Sequence, residues 1–227
     1  MKVFNSQGDV TLSDQDPSMK LTESGSVSPS TSATSTGFYR YDVTVTIPGS
    51  NKPFLFCVKS DYDKLALWEV SDYYSSGTSP IQTTISFASD DGGSKDYRLY
   101  TTFDFQSYST STNFGLKLFD TGGAVSYDSR VPEAILIDAL NIPSTDGTIT
   151  HNSVAEPWYA INMFPTDYSI GPGPTLQTNV LIARGFKQVS STQTEISEYN
   201  LFLLAAGNTV GSQKYGGVMP IVTSIKL

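Results

Sequence analysis

The apolar residues of this chain come in short runs, many alternating with Ser, Thr or Asp, and most close on Gly, Pro, Asn, Asp or Ser. YRYDVTVTI (39–47) alternates along its length, and FLFCVK (54–59) is a short continuous run. A period of two places one set of side chains on a core face and the other on a polar face, which is strand chemistry. Further runs of this kind are KVF and VTL (2–12), QTTISFA (82–88), YRLYTTFDF (97–105), FGLKLF (114–119), AVSYD, EPWYAINMF, TNVLIARGF, YNLFLLAAG and GVMPIVTSIKL. KLALWEV (64–70) and AILIDAL belong to the same set of strand candidates; only KLALWEV and EAILIDAL (133–140) could instead be helical turns, and both are too short to hold a helix alone. Regular short strands with turn residues between them predict an all-β fold, an antiparallel β-sandwich.

Two segments read as something other than strand. SGSVSPSTSATSTG (24–37) is too polar to bury and is expected to be an exposed loop or flexible linker. SIGPGPTLQ (169–177), with Gly171-Pro172-Gly173-Pro174, is expected to be a stiff surface loop that pairs with no sheet. It lacks the following helix and the Lys that a phosphate cradle requires.

Composition narrows the function classes. Charged residues make up 16%, below the typical ~25%, while 13 Tyr and 12 Phe argue against disorder. The net charge of −8 repels a phosphate backbone and no basic cluster offsets it, so nucleic acid is not an expected partner. No apolar run approaches the roughly 18 residues of a membrane span, and there is no charged-then-apolar leader. Membrane insertion is not expected, and synthesis in a cytoplasm without an export signal is.

An internal repeat is also legible. Residues 1–21 align without gaps on 116–136, at the separation of 115 that takes Phe4 to Phe119. Lys2, Phe4, Gly8, Val10, Pro17 and Leu21 match Lys117, Phe119, Gly123, Val125, Pro132 and Leu136 identically. Each copy reads as a hairpin whose turn closes on a glycine, Gly8 or Gly123, where positive φ is needed. The pairs Phe4/Val10 and Phe119/Val125 are expected on the core side. Weaker echoes follow in the same order, so two tandem β-sandwich domains, 1–108 and 109–227, are one arrangement. A single continuous β-domain is the other.

FGLKLFDTGGAVSYDSR (114–130) resembles a signature of short bacteriophage tail proteins. That signature has an aromatic-Gly-Leu strand, a turn with Asp and Gly, and a strand ending in Asp-Ser. Phe114, Gly115, Leu116, Phe119, Asp120, Gly123, Tyr127, Asp128 and Ser129 carry the resemblance, and MKVFNSQGDVTLSD is similar without the aromatic-Gly lead. The resemblance implies a virion tail component (hub, tail tip or fibre-associated) that oligomerises and contacts other tail proteins. It implies no catalytic residues.

Residues that could carry chemistry are few. His151, the only histidine, sits among polar neighbours and reads as a solvated loop residue rather than a general base. Cys57, the only cysteine, reads as a small buried apolar residue and can form no intrachain disulfide. Asp90, Asp91 and Asp96 around Gly92-Gly93 offer oxygen ligands for Ca²⁺, but a plain hairpin loop is the preferred reading. No cofactor, metal site or catalytic residue is therefore expected, and the chain does not read as an enzyme. Tyr39, Tyr41, Tyr97, Tyr100 and Tyr108 are expected mainly in packing, with the loop residues Tyr73 and Tyr74 as candidate interface residues. The alternative function is carbohydrate binding at a cell surface, with a surface glycan as partner. Trp68 and Trp158 would then be the first stacking candidates, although core packing suits both.

Overall fold

The structure is a computed structural model. It describes residues 2–4, 10–13, 19–47, 54–71, 81–102, 117–119, 121–123, 125–128, 130, 134–142, 145–153, 156–163, 168–172, 178–205 and 217–223. Gly8, Tyr73, Tyr74 and Tyr108 lie outside these residues.

Among the described residues, seventeen strands account for nearly all regular structure and no α-helix occurs. In the first half they are β1 (Lys2–Phe4), β2 (Val10–Ser13), β3 (Met19–Val27), β4 (Tyr39–Ile47), β5 (Phe54–Lys59), β6 (Lys64–Ser71), β7 (Ile81–Ser89) and β8 (Lys95–Thr102). The second half holds β9 (Lys117–Phe119), β10 (Val125–Asp128), β11 (Ile135–Ile142), β12 (Gly147–Thr150), β13 (Trp158–Ala160), β14 (Tyr168–Pro172), β15 (Thr178–Ser190), β16 (Gln193–Ala205) and β17 (Gly217–Thr223). A 3-10 turn, Ile161–Met163, follows β13.

Two antiparallel sheets pack together as a sandwich. One runs β11-β17-β13-β5-β8-β3, and the other runs β12-β16-β15-β6-β7-β4 with β14 also on β15. The pairs β1–β2 and β9–β10 form separate two-stranded hairpins.

The shared core follows from strand alternation. In β4, Tyr41, Val43, Val45 and Ile47 point inward, while Thr44 and Thr46 are exposed. They meet Phe54, Phe56 and Val58 of β5, Leu99 of β8, Tyr159 of β13 and Ile221 of β17 from the opposite sheet. Ile85, Phe87, Phe186 and Ile196 complete the same cluster. A fully buried side chain of this size stabilises a fold by about 1.5–3 kcal/mol. The continuous run FLFCVK is buried on both faces, with Cys57 turned away from the main core into a second cluster with Tyr100, Trp158 and Ala160.

The core cluster draws on residues from both sides of position 108/109. β5 pairs with β13, and β6 pairs with β15, so both sheets cross it. Each half contributes three adjacent strands to either sheet, β3-β8-β5 and β4-β7-β6 from the first and β13-β17-β11 and β15-β16-β12 from the second.

Two further expectations need correction. Residues 24–27 belong to β3, and the polar stretch beyond it is tied down rather than a flexible linker. There Ser30 N donates to Arg40 O, Gly37 N to Thr34 O at φ +87°, and the Thr36 hydroxyl to Leu201 O. This brings Phe38 onto Ala66, Ala88, Ala183, Tyr199 and Leu201, on the outer face of the β4-containing sheet. Tyr168–Pro172 is a paired strand and not a loop, with Gly171 opposite Val180 and Pro172 opposite Asn179. Pro172 is tolerated because it ends a strand whose described pairing is on one side only. KLALWEV and most of AILIDAL form β6 and β11, strands as expected.

Candidate functional site

The residues with potential for chemistry are built into the structure. His151 is buried, not solvated as expected, because its ring is hydrogen-bonded at both nitrogens. Nδ1 lies 2.8 Å from Asn152 O and Nε2 lies 3.1 Å from the Thr194 hydroxyl. Thr194 is also 2.8 Å from the Tyr159 hydroxyl, whose pKa burial pushes up to about 12. A hydroxyl beside an imidazole can be a nucleophile and its base. Here Thr194 and Tyr159 are fully buried, so a substrate has no approach to either oxygen in this conformation. Cys57 is also fully buried, and desolvation pushes its thiol well above the usual range.

The aspartates around Gly92-Gly93 form an ion network whose cation is a side chain. The Lys95 ammonium lies 2.6 Å from both Asp63 Oδ2 and Asp91 Oδ2. Burial works to lower the Lys95 pKa, but hydrogen bonds to the two carboxylates outweigh it and hold it above its ordinary value. Asp90 Oδ1 accepts from Lys64 N, and Asp96 lies in β8 opposite Ser26. No cluster of metal-ligating residues occurs among the described residues.

This network fixes an exposed aromatic residue. Residues 60–63 link β5 to β6, and the second carboxylate oxygen of Asp63 accepts from Asp61 N. Ser60 donates to Asp63 O and accepts from Gln188 N at the end of β15. Between these anchors Tyr62 is 57% exposed at φ +68°, the one positive φ at a non-glycine among the described residues. A bulky residue there carries backbone strain, which persists only where the surroundings over-determine it. Val189, next to Gln188, is also exposed. Tyrosine joins apolar area to a polar tip, a combination enriched in protein interfaces. Sequence reasoning missed Tyr62, since nothing local shows that Asp63 would be buried against a lysine 32 positions along the chain.

The hairpin residues divide differently. Gly123 adopts φ +82° in the turn between β9 and β10, with no atom within 4 Å of a Cβ built on it. Its ladder pairs Lys117 with Asp128, Leu118 with Tyr127 and Phe119 with Val125. The β1–β2 ladder pairs Lys2 with Ser13, Val3 with Leu12 and Phe4 with Val10, the same register 115 positions earlier, with the same irregularity. Phe119 is not a core residue, however. It is 55% exposed, and Leu118 takes the buried position because the strand faces inward at that parity.

No family model, curated protein or solved structure matches this chain.

The outer face of the β4-containing sheet carries a polar network. Arg40 Nε donates to Asp42 Oδ1 at 2.8 Å, and Ser30 donates to Asp42 Oδ2 at 2.6 Å. Ser86 also donates to Asp42 and accepts from Arg40. Burial works to raise the Asp42 pKa, but the hydrogen bonds from Ser30, Ser86 and Arg40 hold it below the usual range. The Arg40 guanidinium lies 5.1 Å from the ring centre of half-buried Trp68. Trp158 is buried beneath Arg98 at 3.9 Å, which removes it as a stacking platform. Tyr41 and Tyr100 are fully buried, and Tyr39 and Tyr97 pack half-buried against the core.

Proposed function

We propose that this protein is a structural component of a bacteriophage tail, made in the bacterial cytoplasm and incorporated into the virion. It works without turnover, as a homo-oligomer holding other tail proteins. The observation that carries the contact role is Tyr62, an exposed aromatic residue held in a strained conformation by a buried ion network. The exposed Phe119 on the β9–β10 hairpin adds a second anchor. The tail assignment rests on the hairpin signature of residues 114–130.

The test combines light scattering of the purified protein with capture by proteins from the same tail. Tyr62→Ala and Phe119→Asp should each weaken assembly or capture at least tenfold and leave melting nearly unchanged. A protein that stays monomeric at high concentration and captures no tail component would overturn the reading.

Carbohydrate binding is the second reading, favoured by Trp68 with Arg40 and the Asp42–Ser86–Ser30 network on one exposed face. Sugars combine an apolar ring face with hydroxyls, which an aromatic edge and charged hydrogen-bonding groups can match. A glycan array distinguishes the two. Specific binding lost in Asp42→Ala would favour this second reading.

A further inference from the structure

The strand order of each sheet reads the same from both ends once the halves are matched. Let β1–β8 correspond in order to β9–β13 and β15–β17, with β14 as an addition. The first sheet is then β3-β8-β5 meeting its counterparts β13-β17-β11, and the second is β4-β7-β6 meeting β15-β16-β12. The central pairs, β5–β13 and β6–β15, are antiparallel, as a two-fold axis through the sheets requires.

Residue registers locate the axis. The β3–β8 ladder is interrupted between Leu21 and Glu23, and the β11–β17 ladder between Leu136 and Asp138. The extra residues, Thr22 and Ile137, stand at the separation of the sequence repeat. Just past each bulge Glu23 faces Leu99, and Asp138 faces Ile221. Across the next ladder Leu99 faces Phe56, and Ile221 faces Tyr159. Phe56 is thus equivalent to Tyr159, and Cys57 to Ala160. Cys57 and Ala160 lie directly opposite each other. Met19 and Ala134, another equivalent pair, also meet, with Ala134 N donating to Met19 O at 2.9 Å.

We infer that the chain is one eight-stranded unit present twice as a covalently joined two-fold dimer, and that the surface between the units accepts the matching unit of a second copy of this chain. Each unit ends on two strand edges, β5 and β6 or β13 and β15, that the other unit covers. A strand edge left uncovered seeks a pairing partner. The first unit of one copy offers the second unit of another the same partners as its own, so exchange creates no new interface. Exchange of identical elements between copies is a low-cost route to a closed dimer. The unit junction, from Thr102 to Lys117, spans up to roughly 50 Å when extended, enough to reach a neighbouring copy.

The test is Ala160→Cys in the full chain, which faces the only native cysteine, Cys57, across the axis. After refolding under oxidation, dilute protein should give an intrachain disulfide. Concentrated protein should give a chain-to-chain disulfide whose share rises with concentration. Because the variant could fold poorly, the unaltered sequence is tested in parallel by refolding tagged and untagged copies together. A mixed dimer should form at high concentration and be absent when folded copies are simply mixed. Intrachain linkage at every concentration, or only single chains after joint refolding, would overturn the inference.

Discussion

The ammonium of Lys95 lies 2.6 Å from the carboxylate of Asp63, and both side chains are almost wholly removed from solvent. Ser89 donates to the same Asp63 oxygen, and Asp91, on the exposed side, accepts from the ammonium as a second carboxylate. Desolvating these charges is costly, and their geometry is what offsets it.

Lys95→Met should therefore destabilise the protein by about 3–5 kcal/mol, since it leaves Asp63 buried without a counter-charge. Urea denaturation at neutral pH gives the value as a shifted midpoint at unchanged slope. A loss below about 1 kcal/mol would mean that the pair is exposed in solution.

Tyr62→Gly separates strain from contact. Glycine adopts φ +68° without the steric cost that tyrosine meets. The variant should be more stable by up to about 1 kcal/mol, measured by thermal melting, while losing assembly. Lower stability would show that the tyrosine ring packs rather than projects.

Lys20 predicts a pH dependence. Its side chain is buried at the start of β3, where desolvation lowers its pKa from 10.5 to about 7 against the opposing pull of Asp128. Asp128 is bound to Arg130 and lies 3.8 Å from Lys117. Between pH 7 and 10.5 the unfolded chain holds the Lys20 proton and the folded chain has released it. Stability should rise with pH across this window and be lowest, with no further change from this group, below it. Denaturation between pH 6 and 9 avoids the tyrosines, several of which have pKa values raised by burial. Lys20→Met should flatten the slope and stabilise the protein most at the acid end.

Gly185 permits the closest approach between the central strands. A Cβ there would stand 2.3 Å from the Leu65 carbonyl oxygen and 2.6 Å from the Tyr199 ring. Gly185→Ala should cost about 1–3 kcal/mol or more through overpacking. Amide hydrogen exchange should quicken along β6 and β15, and unchanged exchange there would rule the contact out.

The sequence carries strand identity well where alternation is strict, as in YRYDVTVTI, because the period itself is the signal. It carries pairing across the halves poorly. That FLFCVK should lie beside WYA depends on contacts about 100 positions apart, which no local pattern encodes. Tyr168–Pro172 was hidden by its glycine and proline, whose restriction is relaxed at a strand pairing on one side. His151 reads as solvated, since polar neighbours signal exposure unless a buried partner such as Thr194 is known. The ion network and Tyr62 were hidden for the same reason, while Gly123 was visible because a tight turn constrains a single residue.

The seam between the halves is short, with three paired positions described in one sheet and two in the other, against twelve between β15 and β16. Under mechanical load applied to the chain ends, such a seam would part before either half unravels. The molecule would then lengthen in one step, with the strand pairing inside each half kept. It would behave as a coupling that gives under tension and re-forms on release.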